Sequence, residues 1–462
     1  MFTKGTRDRL KAAEAVEVSG NNEAYHVYQS EEYGKDAGKE LAEKDGAYIL
    51  EASARYSDQQ MATHLIGYVN RSDQSGAAGL ELMFDDQLSG LNRQLYAAAD
   101  VKGNLLPGRG LIVTTDRYED SSIKEGIRTT LEKDIQAAVE KTAEEQEKDC
   151  AVVVLDVRTG GVAAMACTPG FDPNHIGEHM QEEGDELVNK ATQGEYPPGS
   201  VFKIAVAAAA IEEGISADTS LSCSGSTDAG GTVIGCETGG ESGHGDITFE
   251  EAFACSCNSF FVQLGKKLGS RKIIETAKKL HLGEKALEGY PQESRGRIMT
   301  EAESRGAAIG NLSIGQGETL VTPLQVARMT NIIAAGGIDR GVHISADEDI
   351  SEERVISEYT AEEIGRMMEM TVSEGTAASL DMTDSAAEPL AAAKTGTAEY
   401  ESGGISKTHA WITGYAPCDE PEYTITVFVE NGDSGAEDSG PLFKEIVEYL
   451  ERSGSYSMPA LA

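Results

Sequence analysis

Five short apolar runs, bounded by Gly or Pro, constrain the fold of this chain most. Residues 151–156 and 161–167 are rich in Val and Ala and are separated by a Thr-Gly turn, which is typical of a β-hairpin. Three more strand-like runs follow far along the chain, at residues 390–399, 409–416 and 422–430. Since strands grouped apart from helices are typical of α+β proteins, we predict that the late strands complete an antiparallel sheet begun by the early hairpin.

The sequence between and around these runs has the apolar spacing of helices. Helices are predicted over residues 130–147, 201–213, 248–268, 271–280, 323–335 and 441–451. The expected fold is therefore α+β, with a five-stranded antiparallel sheet flanked by helices.

The chain's 462 residues exceed what one ordinary core holds, so we expect at least two domains. Residues 1–125 are charged and irregular, apart from a loop that enters a short helix within residues 76–90. The helical spacing begins near residue 130. We predict a smaller N-terminal domain over residues 1–125 and a second domain over residues 126–462.

The charge of the chain excludes one class of partner. Its formal net charge is −39, and no cluster of Lys and Arg opposes it, so nucleic acid is not an expected partner. No run approaches the roughly 20 apolar residues that span a bilayer, and the first residues lack the apolar core of a secretory signal.

The seven cysteines predict no metal site, because no pair of Cys-x-x-Cys motifs with His at metal spacing occurs. Cys223 and Cys236 bracket a turn-rich loop that a disulfide could close, which would stabilise the fold by about 3 kcal/mol. Cys255 and Cys257 are interpreted as small packing residues.

A candidate nucleophile, Ser200, follows two prolines and opens an Ala-rich helix, with Lys203 three residues later on the same face. A neighbouring base must activate a serine hydroxyl, and burial lowers the pKa of a lysine enough for that task. The alternative is a helix-capping serine with a solvent-reaching lysine. Ser121 and Lys124 share the spacing, but their charged surroundings indicate an exposed turn.

A second motif, Ser256-Cys257-Asn258, offers a hydroxyl and an amide on one short turn. The hydroxyl could relay a proton and the amide could hold a substrate amide. By itself, such a motif is more often a helix cap.

A third motif, Lys394-Thr395-Gly396-Thr397, lies on the strand predicted to begin at residue 390. Gly396 would let a substrate backbone approach the strand, while the lysine and threonines present a cation and hydroxyls to a carboxylate. The alternative is an exposed strand edge whose lysine prevents aggregation.

These three motifs in this order resemble the set of the class B penicillin-binding proteins. The resemblance covers residues 130–450, and residues 76–90 resemble that family's non-catalytic pedestal, or dimerisation, domain. It implies a transpeptidase domain of the penicillin-binding and β-lactamase-like fold after an irregular pedestal-type domain. The membrane anchor that usually opens these proteins is not found in the sequence, and neither is the Asp-Arg-Asn-Gly strand that follows it, so we expect a truncated ectodomain.

The resemblance implies a peptidoglycan D,D-transpeptidase that needs no cofactor or metal and is inhibited covalently by β-lactams. Its partners would be wall stem peptides, β-lactams and, through the N-terminal domain, other cell-wall synthesis proteins. Its expected location is the outer face of the cytoplasmic membrane. The resemblance implies that Ser200 is the nucleophile and Lys203 its base. Ser256 would relay a proton and Asn258 would orient the peptide. The substrate carboxylate would be held by Lys394, Thr395 and Thr397, and Gly396 completes the substrate-binding residues.

Two other functions stay open on the sequence. A β-lactamase-like hydrolase or a D-alanyl-D-alanine carboxypeptidase would use the same residues and release the acyl group to water. A non-catalytic penicillin-binding sensor would keep the pocket without turnover.

Overall fold

The computed structural model describes a defined set of residues: 16–19, 27–29, 55–57, 59–70, 75–88, 93–97, 111–115, 126–180 and 184–454. The Ser121-x-x-Lys124 motif and residues 89–90 lie outside this set. Contacts between Cα atoms divide the chain into two units. One unit comprises Met1–Ser57 and Asp86–Lys124, and the other comprises Asp58–Asp85 and Glu125–Ala462.

Among the described residues of the first unit are two antiparallel pairs of strands. Strand β1 (Val16–Ser19) pairs with β2 (Val27–Gln29), and β3 (Arg93–Ala97) pairs with β4 (Leu111–Thr115). The sequence indicated only irregular structure here, because these strands are short and carry no strong alternation.

The predicted N-terminal domain over residues 1–125 includes residues 58–85. In the structure, residues 58–85 belong to the second unit. Leu65 and Leu80 are buried within its hydrophobic core. The hydroxyl of Tyr290 donates hydrogen bonds to the carbonyl oxygens of His64 and Leu65, at 3.3 and 3.2 Å. Apolar burial therefore ties this segment to the second unit, although the chain enters it from the first.

The strands of the second unit are, in chain order, β5 (Cys150–Asp156), β6 (Val162–Cys167), β7 (Ser220–Cys223), β8 (Ser226–Asp228), β9 (Val233–Gly235), β10 (Gly245–Thr248), β11 (Ile338–Asp339), β12 (Glu353–Arg354), β13 (Ala392–Ser402), β14 (Ile405–Ala416) and β15 (Tyr423–Val429). Five of them form one antiparallel sheet in the order β13-β14-β15-β5-β6. Because β15 pairs with β5, the late strands do complete the sheet that the early hairpin begins, which confirms the prediction.

The α-helices described are α1 (Thr63–Ile66), α2 (Gly79–Met83), α3 (Asp85–Leu88), α4 (Lys133–Glu144), α5 (Ile176–His179), α6 (Lys203–Glu212), α7 (Phe249–Ala254), α8 (Asn258–Leu268), α9 (Ser270–Lys279), α10 (Ala308–Ser313), α11 (Pro323–Ala334), α12 (Glu358–Ser373) and α13 (Gly440–Ser453). Shorter turns occur at Gly199–Phe202, Ala378–Leu380 and Gly435–Ser439. None of the helices in the described part of the chain has the length and apolar character needed to cross a membrane.

The sheet is buried on both faces, which explains why β5 reads as a continuous apolar run. Val153 and Leu155 of β5 face one hydrophobic core, which includes residues of α6, α8 and α11. Val152 and Val154 face a second core, built with α4 and α13. Helices therefore cover both faces of the sheet, and the α+β fold class is confirmed.

One predicted helix, over residues 248–268, is wrong as a single element. Helix α7 begins at a capping box between Thr248 and Glu251 and ends at Ala254, and α8 begins only at Asn258. The residues between them form a turn. Helix α12, which Ser357 caps, was not predicted.

Candidate active site

Ser200 lies in a 3₁₀ turn, Gly199–Phe202, that leads directly into α6. Pro197 and Pro198 precede this turn, and Gly199 has a positive φ of 55°. A Cβ atom on Gly199 would lie only 2.4 Å from the carbonyl oxygen of Thr397, so this position accommodates glycine alone without strain. The serine is therefore held against the backbone of strand β13.

Two further contacts fix the segment that carries Ser200. The indole N–H of Trp411, on β14, donates a hydrogen bond of 3.1 Å to the carbonyl oxygen of Pro197. The backbone N–H of Gly199 donates one of 2.9 Å to the carbonyl of Gly315. The sequence did not indicate the role of Trp411, although its being the chain's single tryptophan was a signal that could have drawn attention to it.

Lys203 is completely buried, in the first turn of α6. Its Nζ donates hydrogen bonds to the Ser256 carbonyl oxygen at 2.7 Å, the Ser256 Oγ at 3.1 Å and the Asn258 Oδ1 at 2.7 Å. Burial lowers the pKa of Lys203 to about 8, because a buried ammonium loses its hydration. A lysine with this pKa can give up its proton near neutral pH.

Ser256 occupies the turn between α7 and α8 and has a φ of +57°. A residue other than glycine in this left-handed conformation stores strain of about 1–3 kcal/mol. Two backbone hydrogen bonds stabilise this strained conformation. The N–H of Ser256 donates to the carbonyl of Phe253, and the N–H of Cys257 donates to the carbonyl of Ala252. The bend turns the Ser256 hydroxyl and the Asn258 amide toward Lys203, which a continuous helix would not do.

The third motif lies on β13, at the edge of the five-stranded sheet. Lys394 is completely buried, and its Nζ donates to the Thr395 carbonyl at 3.0 Å. Burial first, and the nearby charge of Lys203 next, hold the pKa of Lys394 well below its usual value. The two lysines thus share one pocket.

The other residues of this motif lie next to the serine turn and to Thr376. A Cβ atom on Gly396 would lie 3.1 Å from a methyl carbon of Val201, so the glycine allows the serine turn to approach β13. The hydroxyls of Thr395 and Thr376 share a hydrogen bond. Thr397 is half-buried, next to Gly199. The fold thus brings the eight predicted site residues into neighbouring positions on the serine turn, the bend between α7 and α8, and strand β13, and Thr376 is a contact that the sequence did not predict.

Comparison with known proteins agrees with this arrangement. Residues 150–448, more than half of the chain, match the family model described as penicillin binding protein transpeptidase domain. The chain belongs to the penicillin-binding protein transpeptidase family. All eight predicted site residues lie within the matched range.

Two curated relatives and one solved structure illustrate the likeness of this transpeptidase domain. The chain is 29% identical to penicillin-binding protein PbpB of Mycolicibacterium smegmatis over 86% of its own length and 64% of the relative. It is 31% identical to the peptidoglycan D,D-transpeptidase PbpA of Mycobacterium tuberculosis over 61% of its own length and 62% of the relative. The chain therefore spans a little under two thirds of either relative.

The solved structure is penicillin-binding protein A from M. tuberculosis as a ceftriaxone acyl-enzyme complex. It superimposes with a TM-score of 0.63 at 26% identity, covering 70% of this chain and 79% of that one.

Beside the turn that carries Ser256 and Asn258 lies a group of residues that the sequence analysis missed. The side chains of Cys223, Cys236, His244 and Cys257 bring their sulfur and nitrogen atoms within 4.8 Å of one another. All seven cysteines are free thiols in the structure, so the predicted Cys223–Cys236 disulfide is not formed. The sequence analysis expected no metal site and did not anticipate this group, because its members come from separate loops and not from a short Cys-x-x-Cys motif.

Proposed function

We propose that this chain is a peptidoglycan D,D-transpeptidase that forms an acyl-enzyme on Ser200 and that β-lactams acylate at the same residue. The observation that carries the proposal is the buried Lys203 amine, one turn from Ser200, with its hydrogen bonds directed to Ser256 and Asn258. Its three hydrogen bonds use every N–H group of an ammonium. Loss of one proton leaves a lone pair that can accept the proton of Ser200.

In the first half of the reaction, Ser200 Oγ attacks the carbonyl carbon between two terminal D-alanines of a stem peptide. A carbon–oxygen bond forms, and the hydroxyl proton moves to the neutral Lys203 Nζ. The carbon–nitrogen bond then breaks, and Ser256 passes a proton from Lys203 to the departing amine. The 3.1 Å hydrogen bond between Lys203 Nζ and Ser256 Oγ supports this relay.

In the second half, the amine of a neighbouring stem peptide attacks the ester carbonyl of the acyl-enzyme. A new carbon–nitrogen bond forms and the carbon–oxygen bond to Ser200 breaks. The proton lost by the amine returns to Ser200, so the enzyme is regenerated and the number of peptide bonds is unchanged. The cross-link therefore needs no external source of energy.

The negative charge that develops on the attacked carbonyl oxygen needs hydrogen-bond donors. We assign this task to the backbone N–H groups of Ser200 and Thr397, since Gly199 packs directly on the Thr397 carbonyl and brings the two backbones together. Loss of one such donor typically costs about 3–4 kcal/mol of transition-state stabilisation.

The remaining residues of the motifs would bind the substrate. Asn258 would orient the stem peptide through its amide. Thr395 and Thr397 would donate their hydroxyls to the terminal carboxylate at the edge strand, with the amine of Lys394 behind them. Gly396 would keep the strand open to the substrate backbone.

We further propose that the enzyme works on stem peptides at the outer face of the cytoplasmic membrane. Residues 1–57 and 86–124 would serve as the pedestal that contacts other cell-wall synthesis proteins. An epitope tag placed after Ala462 should then be digested by protease added to spheroplasts. Protection of the tag in intact spheroplasts would contradict this location.

Labelling with a fluorescent penicillin tests the enzymatic proposal. The label should attach to Ser200, remain bound for many minutes, and be absent from Ser200→Ala. Ser121→Ala, which changes the serine of the same spacing, is the matched control and should be labelled normally. Label on another residue of a folded protein would refute the assignment of Ser200, and rapid release of hydrolysed penicillin would indicate a hydrolase instead.

A further inference from the structure

Three cysteines and one histidine lie close together next to the active-site turn that carries Ser256 and Asn258. The sulfur of Cys236 lies 3.6 Å from that of Cys257 and 3.7 Å from Nδ1 of His244. The sulfur of Cys223 completes the group, in which all four ligand atoms lie within 4.8 Å of one another.

These separations suit a shared metal ion and not a disulfide. With zinc–sulfur bonds of about 2.3 Å and tetrahedral angles, two sulfurs on one zinc ion lie about 3.8 Å apart, and a sulfur and an imidazole nitrogen lie about 3.6 Å apart. The sulfurs of a disulfide are separated by about 2.05 Å. The separation between Cys236 and Cys257 therefore matches the spacing of two zinc ligands.

The group is assembled from the ends of several elements. Cys223 ends β7, Cys236 follows β9, His244 precedes β10, and Cys257 caps the N-terminus of α8. Strand β10 pairs with β7, which places His244 next to Cys223.

Two glycines make room for this group. A Cβ atom on Gly239 would lie 2.8 Å from Nδ1 of His244, and one on Gly243 would lie 2.1 Å from the carbonyl oxygen of Cys223. The loop therefore approaches the ligands as closely as a glycine backbone permits.

The segment that carries three of the ligands has almost no core of its own. Residues 220–248 are all described, and the buried side chains among them are those of Cys223, Ala229 and Cys236. Its strands form only two-stranded hairpins. A segment with so little apolar burial commonly needs a metal or a disulfide to stay folded, and the disulfide is absent here.

Polar hydrogen-bonding groups also lie next to two of the sulfur atoms. The Phe260 amide donates to the Cys257 sulfur at 3.4 Å. The Thr238 hydroxyl lies 3.8 Å from the sulfur of Cys236, within hydrogen-bonding distance of a sulfur atom. Donors in this arrangement stabilise negative charge on sulfur, and the thiolate is the form of cysteine that binds metals.

We propose that Cys223, Cys236, His244 and Cys257 bind one structural zinc ion in a closed, four-coordinate site. Each thiol gives up its proton to solvent as its sulfur binds the ion, and the histidine binds through its neutral Nδ1. With four protein ligands and no open position, the ion holds the loops together and performs no chemistry on a substrate.

A zinc ion in this site would also restrict the motion of the active-site turn that carries Ser256 and Asn258. Cys257 lies between Ser256 and Asn258, and the Asn258 amide donates a hydrogen bond of 3.2 Å to the carbonyl oxygen of Gly235, next to Cys236. A zinc ion at Cys257 thus fixes the turn that faces Lys203. This connection to catalysis rests on the proposed function, whereas the metal site itself does not.

The metal content of the purified, untreated protein tests the proposal directly. Inductively coupled plasma mass spectrometry should find about one zinc ion per chain, as expected of a structural site. Replacing zinc with Co²⁺ should give the strong visible absorption of a tetrahedral cobalt–thiolate centre. Both measurements use the wild-type protein and do not depend on penicillin binding.

Two variants identify the ligands. His244→Ala removes a half-buried ligand, and its loss of zinc affinity should exceed the roughly 10–100-fold loss that follows removal of an outer-shell partner. Cys255→Ser changes a cysteine two residues from Cys257 that is outside the group, and it should keep its zinc. Restored zinc binding in His244→Cys would separate a ligand role from a merely structural one.

Three results would overturn the proposal. They are a wild-type protein that neither contains zinc nor takes it up after reduction, a native disulfide between Cys223 and Cys236, and unchanged zinc affinity in folded His244→Ala. Zinc binding without penicillin labelling would leave the site in place and refute the proposed function alone.

Discussion

Lys203 Nζ donates a hydrogen bond of 2.7 Å to the carbonyl oxygen of Ser256, a residue 53 positions further along the chain. This contact joins the first turn of α6 to the bend between α7 and α8. It also explains how two motifs that are each common by chance become one site.

Replacing Lys203 with arginine tests the lysine as the base. Arginine keeps a positive charge but does not release its proton near neutral pH, so acylation by penicillin should fall about 100- to 10,000-fold. Stopped-flow measurement of the acylation rate, beside a thermal melt, checks this prediction. Lys272→Arg, on the surface, is the control, and a normal rate in folded Lys203→Arg would exclude the role of base.

Adding a methyl group at Gly199 should move the nucleophile. The new Cβ would clash with the Thr397 carbonyl, and alanine is strained at this positive φ. We expect Gly199→Ala to lose roughly 1–3 kcal/mol of unfolding free energy and to be acylated about 100-fold more slowly. Gly170→Ala adds the same group at an exposed glycine with no neighbouring atom within 4 Å, and should change neither quantity.

The strain at Ser256 can be measured by comparing two variants. Ser256→Ala and Ser256→Gly both remove the hydroxyl, but only glycine adopts the observed φ without cost. Urea unfolding should show the glycine variant to be more stable by about 1 kcal/mol. At Lys266, inside α8, the order should reverse, since glycine is about 1 kcal/mol worse than alanine within a helix. The same order at both positions would argue against stored strain.

Acid should destabilise the fold through His64. Burial lowers the pKa of His64 from 6.5 to about 4, and its Nε2–H donates a hydrogen bond of 2.7 Å to the Glu186 carbonyl. Below pH 6.5 the unfolded chain binds a proton that the folded chain does not. The free energy of unfolding should therefore fall by up to about 3 kcal/mol as the pH drops from 6.5 to about 4.

Urea titrations over this pH range, on the wild type and on His64→Gln, measure the contribution. Glutamine keeps a donor for the Glu186 carbonyl but does not titrate, so its stability should depend less steeply on pH. Measurements above about pH 8 give the internal reference, because His64 is almost entirely neutral there in both states. An identical pH slope in the two proteins would contradict the assignment to His64.

Much of the fold was predictable from the sequence because it depends on local pattern. The sheet strand β5 is a continuous apolar run, since helices cover both faces of the sheet, and β15 is rich in the β-branched and aromatic residues typical of strands. Helix α11 has its proline at the first position and its apolar spacing in one stretch. The order of the three motifs likewise indicated which serine and which lysines to examine.

Tertiary structure alone decided other features. The predicted helix over residues 248–268 breaks at Ser256, because contacts with Lys203 and the neighbouring backbone hold a conformation that local propensity disfavours. Residues 58–85 join the second unit through burial of Leu65 and Leu80, which no local pattern indicates. The amino-acid sequence by itself determined the five strands of the large sheet, most of the longer helices and the candidate catalytic residues. The group formed by Cys223, Cys236, His244 and Cys257 became visible only in three dimensions, because hairpin pairing and a helix cap bring together residues that lie far apart along the chain.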